Sequence, residues 1–188
     1  MYQIAVSGAA KGDSVEEGRS LASEIGREIA LAGHSLLSGA TVGLPNYAAE
    51  AYKQAGGKMS VGISPAASKV EHVLKYRLPV EAYDTILYTG LHYIGRDMLL
   101  ITSSDAVVSV GGRIGTLHEF TIAVESNTPI GFLQGGGGIS AEIQTLVSLA
   151  HPLREGVEIL FSEDPKDLIH RLTAFLDHDY IKYSNLYT

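Results

Sequence analysis

The chain has no cysteine among its 188 residues, which excludes disulfides, thiolate metal sites and a cysteine nucleophile. No apolar run reaches the roughly 18 residues needed to span a bilayer. The start, Met1-Tyr2-Gln3-Ile4-Ala5-Val6, lacks the basic region and cleavage site of a secretion signal. A cytoplasmic location without membrane contact is therefore expected. Basic residues are in deficit: 14 Lys and Arg against 21 Asp and Glu leave a net charge of −7. No local basic face offsets this, so a nucleic-acid polymer is not an expected partner. The 7 histidines are scattered without metal-ligand spacing, and no metal site is expected. Three familiar motifs are also missing: the Gly-x-x-x-x-Gly-Lys-Ser/Thr loop, a Gly-x-Gly-x-x-Gly after the first strand, and the Gly-x-Ser-x-Gly elbow.

Glycine is what the chain has in excess, with 21 residues against a usual share of about 7%. Proline, at 6, is not raised with it, so the excess is not collagen-like or low-complexity. Backbone without side chains is needed somewhere specific. Hydrophobic residues make up 45% and charged residues 19%, enough apolar material for a real core.

Short apolar runs alternate with segments of helical period. Strands are predicted over Tyr2–Val6, His34–Leu37, Met59–Ile63, Thr85–Tyr88, Ala106–Val110, Pro129–Leu133 and Val157–Phe161. Helices are predicted from Asp13 or Ser14 (as cap) to Gly33, then over Asn46–Ala55, Tyr93–Thr102, Thr116–Glu125, Ser140–Ala150 and Pro165–His178, with Ser68–Arg77 weakly helical. Strict alternation with strands apolar throughout predicts an α/β fold, a doubly wound and mostly parallel sheet covered on both faces. One domain over residues 1–188 is expected. Gln134-Gly135-Gly136-Gly137-Gly138 reads as a mobile surface loop, and the tail Asp179–Thr188 as a frayed end or a partner contact.

Ligands of such sheets bind beyond the carboxyl ends of the strands. Four glycine-bearing segments fall at that edge: Ser7-Gly8-Ala9, Ser38-Gly39-Ala40-Thr41-Val42-Gly43, Thr89-Gly90 and Gly111-Gly112-Arg113-Ile114-Gly115-Thr116. Free N–H groups at helix starts, with the helix dipole, suit a phosphate. The candidate binding residues are therefore Ser7, Gly8, Gly39, Thr41, Gly43, Gly90, Gly111, Gly112, Arg113, Gly115 and Thr116.

The stretch from Gly111 to Glu119 resembles the Gly-Gly-x-x-Gly-Thr-x-x-Glu signature of the LOG-like proteins, often labelled "possible lysine decarboxylase". Leu36–Leu44 resembles their second glycine loop and Ala55–Pro65 their third strand, so the resemblance runs from about Gln3 to Leu133. It implies a three-layer Rossmann-like fold of about seven strands. It also implies hydrolysis of the N-glycosidic bond of nucleoside 5′-monophosphates, with Arg96 and Glu119 as catalytic residues. Glu119 would stabilise positive charge on the ribose or activate water. Arg96 would grip phosphate or orient the carboxylate, and Gly115 and Thr116 would hold the 5′-phosphate. No cofactor is required for this reaction.

Two positions depart from the hydrolases. Arg113 stands where glycine is usual, either adding an anion ligand or pointing away and blocking the standard pose. Asp97 follows Arg96 where lysine is common. The context Tyr88-Thr89-Gly90 to Arg96-Asp97 is more similar to the branch holding uncharacterised nucleotide-binding proteins and the molybdenum-cofactor carriers, which bind a phosphorylated pterin without turnover. A nucleotide or a molybdopterin-type ligand is thus the expected small-molecule partner, with loops such as Ser64–Arg77 setting its identity. The resemblance further implies a homodimer or homotetramer, for which the apolar faces of Tyr93–Thr102 and Thr116–Glu125 are candidate interfaces.

Overall fold

Strands that are apolar at successive positions present apolar groups to both sides of a sheet and require cover on both. In β1 (Gln3–Gly8), Ile4 and Val6 point into one buried cluster and Ala5 into the other. The computed structural model describes residues 1–150, 153 and 156–181. Its sheet contains β1, β2 (Ser35–Ser38), β3 (Ser60–Ser64), β4 (Thr85–Tyr88), β5 (Ala106–Val110), β6 (Ile130–Leu133) and β7 (Ile159–Ser162). They run in the order β4-β3-β2-β1-β5-β6-β7. Every pairing is parallel, which sharpens the mostly parallel sheet expected above to a wholly parallel one.

Helices cover the sheet in two layers. On one side α1 (Asp13–Leu31), α2 (Leu44–Gln54) and α6 (Pro165–Tyr180) bury Ile25, Ile29, Tyr52, Leu168 and Leu172 against Ile4, Val6 and Val108. On the other, α3 (His92–Thr102), α4 (Ile114–Ser126) and α5 (Ile143–Ala150) bury Leu100, Ile101, Phe120 and Ile143 against Ala5, Val107 and Phe132. Phe132, fully buried, meets Phe120 edge-on and Phe161 in a stack. This is the three-layer, Rossmann-like α/β architecture.

The differences from the sequence reading lie at element ends. Helix α1 starts directly after Gly12, at φ 98°, with no side-chain cap, so neither Asp13 nor Ser14 caps it. Ser68–Arg77 forms a single π-helical turn at Glu71–Lys75. The helix predicted from Ser140 divides into a 3-10 turn at Gly138–Ala141 and α5. Beyond Ile181 the predicted tail lies outside the described residues.

Chain order places the site. The strands step outward from β1 through β2 and β3 to β4, and the chain then returns to the other side of β1 at β5. The loops after β1 and β5 therefore part in opposite directions. They leave a crevice at the carboxyl edge, the usual place for a ligand in a doubly wound sheet.

Candidate functional site

A cavity of about 570 Å³ opens at this crevice. Its wall includes Gly8, Gly39, Thr41, Arg96, Arg113, Gly115, Thr116 and Glu119, all singled out in the sequence. Ser7 stands behind the wall, where its Oγ donates to Oε2 of Glu119. Gly43, Gly111 and Gly112 shape the loops without lining the cavity. Gly90 packs against Ala67, away from it.

Helix α4 brings its N-terminus to the cavity. Its first N–H groups have no partner within the helix, no side chain caps them, and Arg113, Ile114, Gly115 and Thr116 line the cavity. Gly112, at φ 104°, makes the turn before the helix. A Cβ there would sit 2.4 Å from the Thr116 hydroxyl, so only glycine leaves room for Thr116 beneath the turn. Arg113, the departure from the family pattern, is exposed and reaches along the β1–α1 loop. Its Nη1 lies 3.6 Å from where a Gly12 Cβ would stand. It adds a cation to the cavity's wall.

The floor holds a buried charged cluster. Arg96 is 5% exposed and Glu119 7%, so both have been taken out of water. Arg96 reaches Asp97 at 3.4 Å and Glu119 at 3.7 Å, longer than a good charge-assisted hydrogen bond of about 2.7–2.9 Å. Its Nε is buried with no partner among the described residues, a condition that costs about 1–3 kcal/mol. The half-buried His118 closes the chain, with Nδ1 2.8 Å from Oδ2 of Asp97. Burial pushes the Glu119 carboxyl up to about 7 from an ordinary value near 4.5. Arg96 opposes that rise, Asp97 adds to it, and the Ser7 hydrogen bond opposes it. Near neutral pH this group therefore stands between its acid and its base.

Several wall residues carried no motif. Lys11 arrives with the β1–α1 loop, Tyr93 with α3, and Tyr76, Arg77 and Leu78 with the long connection from β3 to β4. Arg77 adopts φ 56°, unusual for a side-chain-bearing residue and typical of functional loops. Tyr76 meets Tyr93 edge-on at 5.7 Å and its hydroxyl lies 2.7 Å from Nδ1 of His92. The cavity thus has a cationic, N–H-lined region and an aromatic one. The sequence reading expects the Ser64–Arg77 loop to set the ligand's identity, but only the fold brings Tyr76 and Arg77 to the cavity. Among the described residues no group of three or more His, Asp or Glu is placed to hold a metal ion, and no helix is long and apolar enough to cross a membrane.

The polyglycine segment after β6 is a loop that forms a strap on the turn before α4: Ile139 N–H donates to the Gly112 carbonyl at 2.9 Å and Ser140 N–H to the Gly111 carbonyl at 3.1 Å.

The chain has relatives in sequence and in fold. An uncharacterized protein of Archaeoglobus fulgidus is 32% identical over 134 residues, 71% of this chain and 81% of that protein. The structural-genomics target TM1055 superposes with a TM-score of 0.80 at 26% identity, covering 93% of this chain and 99% of its own. The molybdenum cofactor carrier protein of Chlamydomonas reinhardtii superposes with a TM-score of 0.74 at 29% identity, over 94% of this chain and 98% of that one. The model of the SLOG cluster4 family matches residues 1–169, a span that includes every strand and the whole cavity wall, and the chain belongs to that family.

Proposed function

We propose that this protein binds and carries a phosphorylated heteroaromatic small molecule, a molybdenum-cofactor-type pterin or a nucleotide, in the cavity between the β1 and β5 loops. The observation that carries this reading is the concentration of donors at one place in an acidic chain. The uncapped α4 start, Lys11, Arg77 and Arg113 surround a cavity whose floor holds Arg96, while the molecule as a whole carries −7. The phosphate sits at Gly115 and Thr116, and the ring lies toward Tyr76, Leu78 and Tyr93. A volume of about 570 Å³ lies within the range of small-molecule and cofactor sites, about 300–1,000 Å³. The Chlamydomonas protein of similar fold is a molybdenum cofactor carrier, which supports holding over turnover. One oxygen of Glu119 is already engaged by the Ser7 hydroxyl.

Hydrolysis of nucleoside 5′-monophosphates to base and ribose 5-phosphate is the second reading. It is favoured by the same raised carboxyl, because a group near pH 7 is well matched to general-base work. Thermal shift against phosphorylated pterins and nucleoside monophosphates separates the two when paired with a ribose 5-phosphate assay. A ligand at 100 times its Kd stabilises by about 2.7 kcal/mol, a rise of roughly 5–10 °C for a chain of this size. Binding with no ribose 5-phosphate above a Glu119→Gln control supports the carrier. Release above that control makes the protein a hydrolase, and no shift with any phosphorylated compound overturns both readings.

A further inference from the structure

We infer that the glycine strap Gly136–Ser140 is part of the anion site, and that Ser140 is a positioning residue which holds the turn before α4 in its phosphate-accepting form. The inference rests on the reading of α4 as the phosphate site and adds to it a residue that never touches the ligand. Ser140 is 2% exposed. Its Oγ and its backbone N–H both donate to the carbonyl of Gly111, and Ile139 N–H donates to the carbonyl of Gly112. Two consecutive carbonyls of the turn are thus drawn toward the strap. In a trans peptide the N–H of the next residue points opposite to the carbonyl, so the N–H groups of Gly112 and Arg113 are turned away from the strap. The turn then delivers Ile114, Gly115 and Thr116 to the cavity wall.

The strap's glycines are needed for this closeness. A Cβ on Gly138 would stand 2.3 Å from the Gly112 carbonyl oxygen, and one on Gly136 3.0 Å from the Gly111 nitrogen. At Gly138 every such contact is backbone, and at Gly136 the Val110 Cγ2 also lies 3.0 Å away. Gly138 has a positive φ of 62° and Gly135 one of 88°, yet a Cβ on Gly135 would meet only Leu21 Cδ1 at 3.7 Å, an ordinary contact. Backbone strain and loss of the clamp can therefore be separated within one segment. Without the clamp, the Gly111 and Gly112 carbonyls are free to rotate toward the cavity, where they would repel an anion.

The test is binding of inorganic phosphate by titration calorimetry to the wild type, Ser140→Ala, Gly138→Ala and Gly135→Ala, with amide hydrogen exchange on the same proteins. Loss of one ordering hydrogen bond in Ser140→Ala should weaken phosphate about fivefold. Gly138→Ala should weaken it more, and Gly135→Ala should bind as the wild type does. Exchange at the Ile139 amide should quicken severalfold in Ser140→Ala, while that at Val107, inside β5, stays unchanged. Equal phosphate affinity in the wild type and Ser140→Ala overturns the inference. So does a Gly135→Ala loss as large as that of Gly138→Ala, which would make strain the cause. If the wild type binds no phosphate, the reading of α4 as an anion site fails. The exchange result then judges the clamp alone, and unchanged exchange at Ile139 overturns it.

Discussion

At Gly39 the backbone leaves empty the space that the Arg96 guanidinium fills. A Cβ there would lie 1.7 Å from Nη1 and 2.5 Å from Cζ. The glycine of the second loop thus acts on the arginine before it acts on any ligand. Gly39→Ala should lower stability by about 1–3 kcal/mol, because it forces a buried guanidinium off its two carboxylates. In an Arg96→Ala background the same substitution should cost much less. A double-mutant cycle by urea unfolding measures the coupling, and equal costs in both backgrounds would show that the two residues are independent. Glu119 makes a second prediction. Its folded pKa of about 7 lies above its ordinary value near 4.5, so between those values the folded state holds a proton that the unfolded chain has released. Stability therefore falls as pH rises through that window and stays lower above it. Glu119→Gln removes this slope. The melting temperature of the variant minus that of the wild type should grow from about pH 5 to about pH 8, and a flat difference would show that the carboxyl is not raised.

At the scale of elements, the cavity depends on segments that are held from behind. The β3–β4 connection carries Tyr76, Arg77 and Leu78 to the cavity wall, and His72 pins it. The Nε2 of His72 lies 2.9 Å from the Pro79 carbonyl and its Nδ1 2.8 Å from the Ser64 hydroxyl. A carbonyl can only accept, so Nε2 carries the proton and Nδ1 accepts from Ser64. The imidazole is fully buried and satisfied on both sides, which makes it a structural pin. His72→Ala should remove the link between the Ser64 hydroxyl, which keeps only the Ala66 N–H, and the Pro79 carbonyl, and let the connection open locally. Trypsin should then cut at Lys75 and Arg77 severalfold faster than in the wild type, with cleavage elsewhere unchanged. An unaltered digestion pattern would show that the connection is held by other contacts.

Across the whole molecule, the apolar surface is uneven. Helix α3 exposes Ile94 at 76% and Met98 at 52%, and Ile114 at the start of α4 is 80% exposed. Phe120, Ala123 and Val124 of α4, by contrast, are buried under the sheet. Of the two interfaces expected from sequence, the second is thus mostly internal cover, and the first adjoins the cavity through Tyr93. A second copy of the chain seated on α3 would bury this patch and lie beside the cavity. Light scattering should give a mass of at least twice the 20.0 kDa chain, and Ile94→Asp with Met98→Asp should reduce it to the monomer. A monomeric wild type would overturn this assembly.

Strand positions were legible to within a residue or two, because apolar runs bounded by glycine report a strand buried on both faces. The glycine motif before α4 was legible for a similar reason: a turn, a positive φ and a helix start are all local. Helix caps were less so. Gly12 rather than Asp13 precedes α1, since the sharp exit from β1 calls for a backbone conformation that only glycine adopts readily. The contacts of the strap were not legible because its partners are remote: Ser140 and Gly111 are 29 residues apart, and nothing near Gly135–Gly138 in the sequence says what it will touch.

The sequence by itself determined the alternation of elements, the parallel sheet, the family signature at Gly111–Glu119 and the pair Arg96 and Glu119. The first three are written in short-range pattern, in the period of apolar residues and in the spacing of glycines, and the pair is what the resemblance to the LOG-like proteins implies. Only the tertiary structure decided that Gly39 makes room for Arg96, that burial raises Glu119, that Tyr76 and Arg77 wall the cavity, and that a run of glycines clamps the turn before α4. Those facts depend on which segments the sheet order brings together. Exclusion of water and close approach of backbones arise between residues far apart in the chain, and they exist only once it has folded.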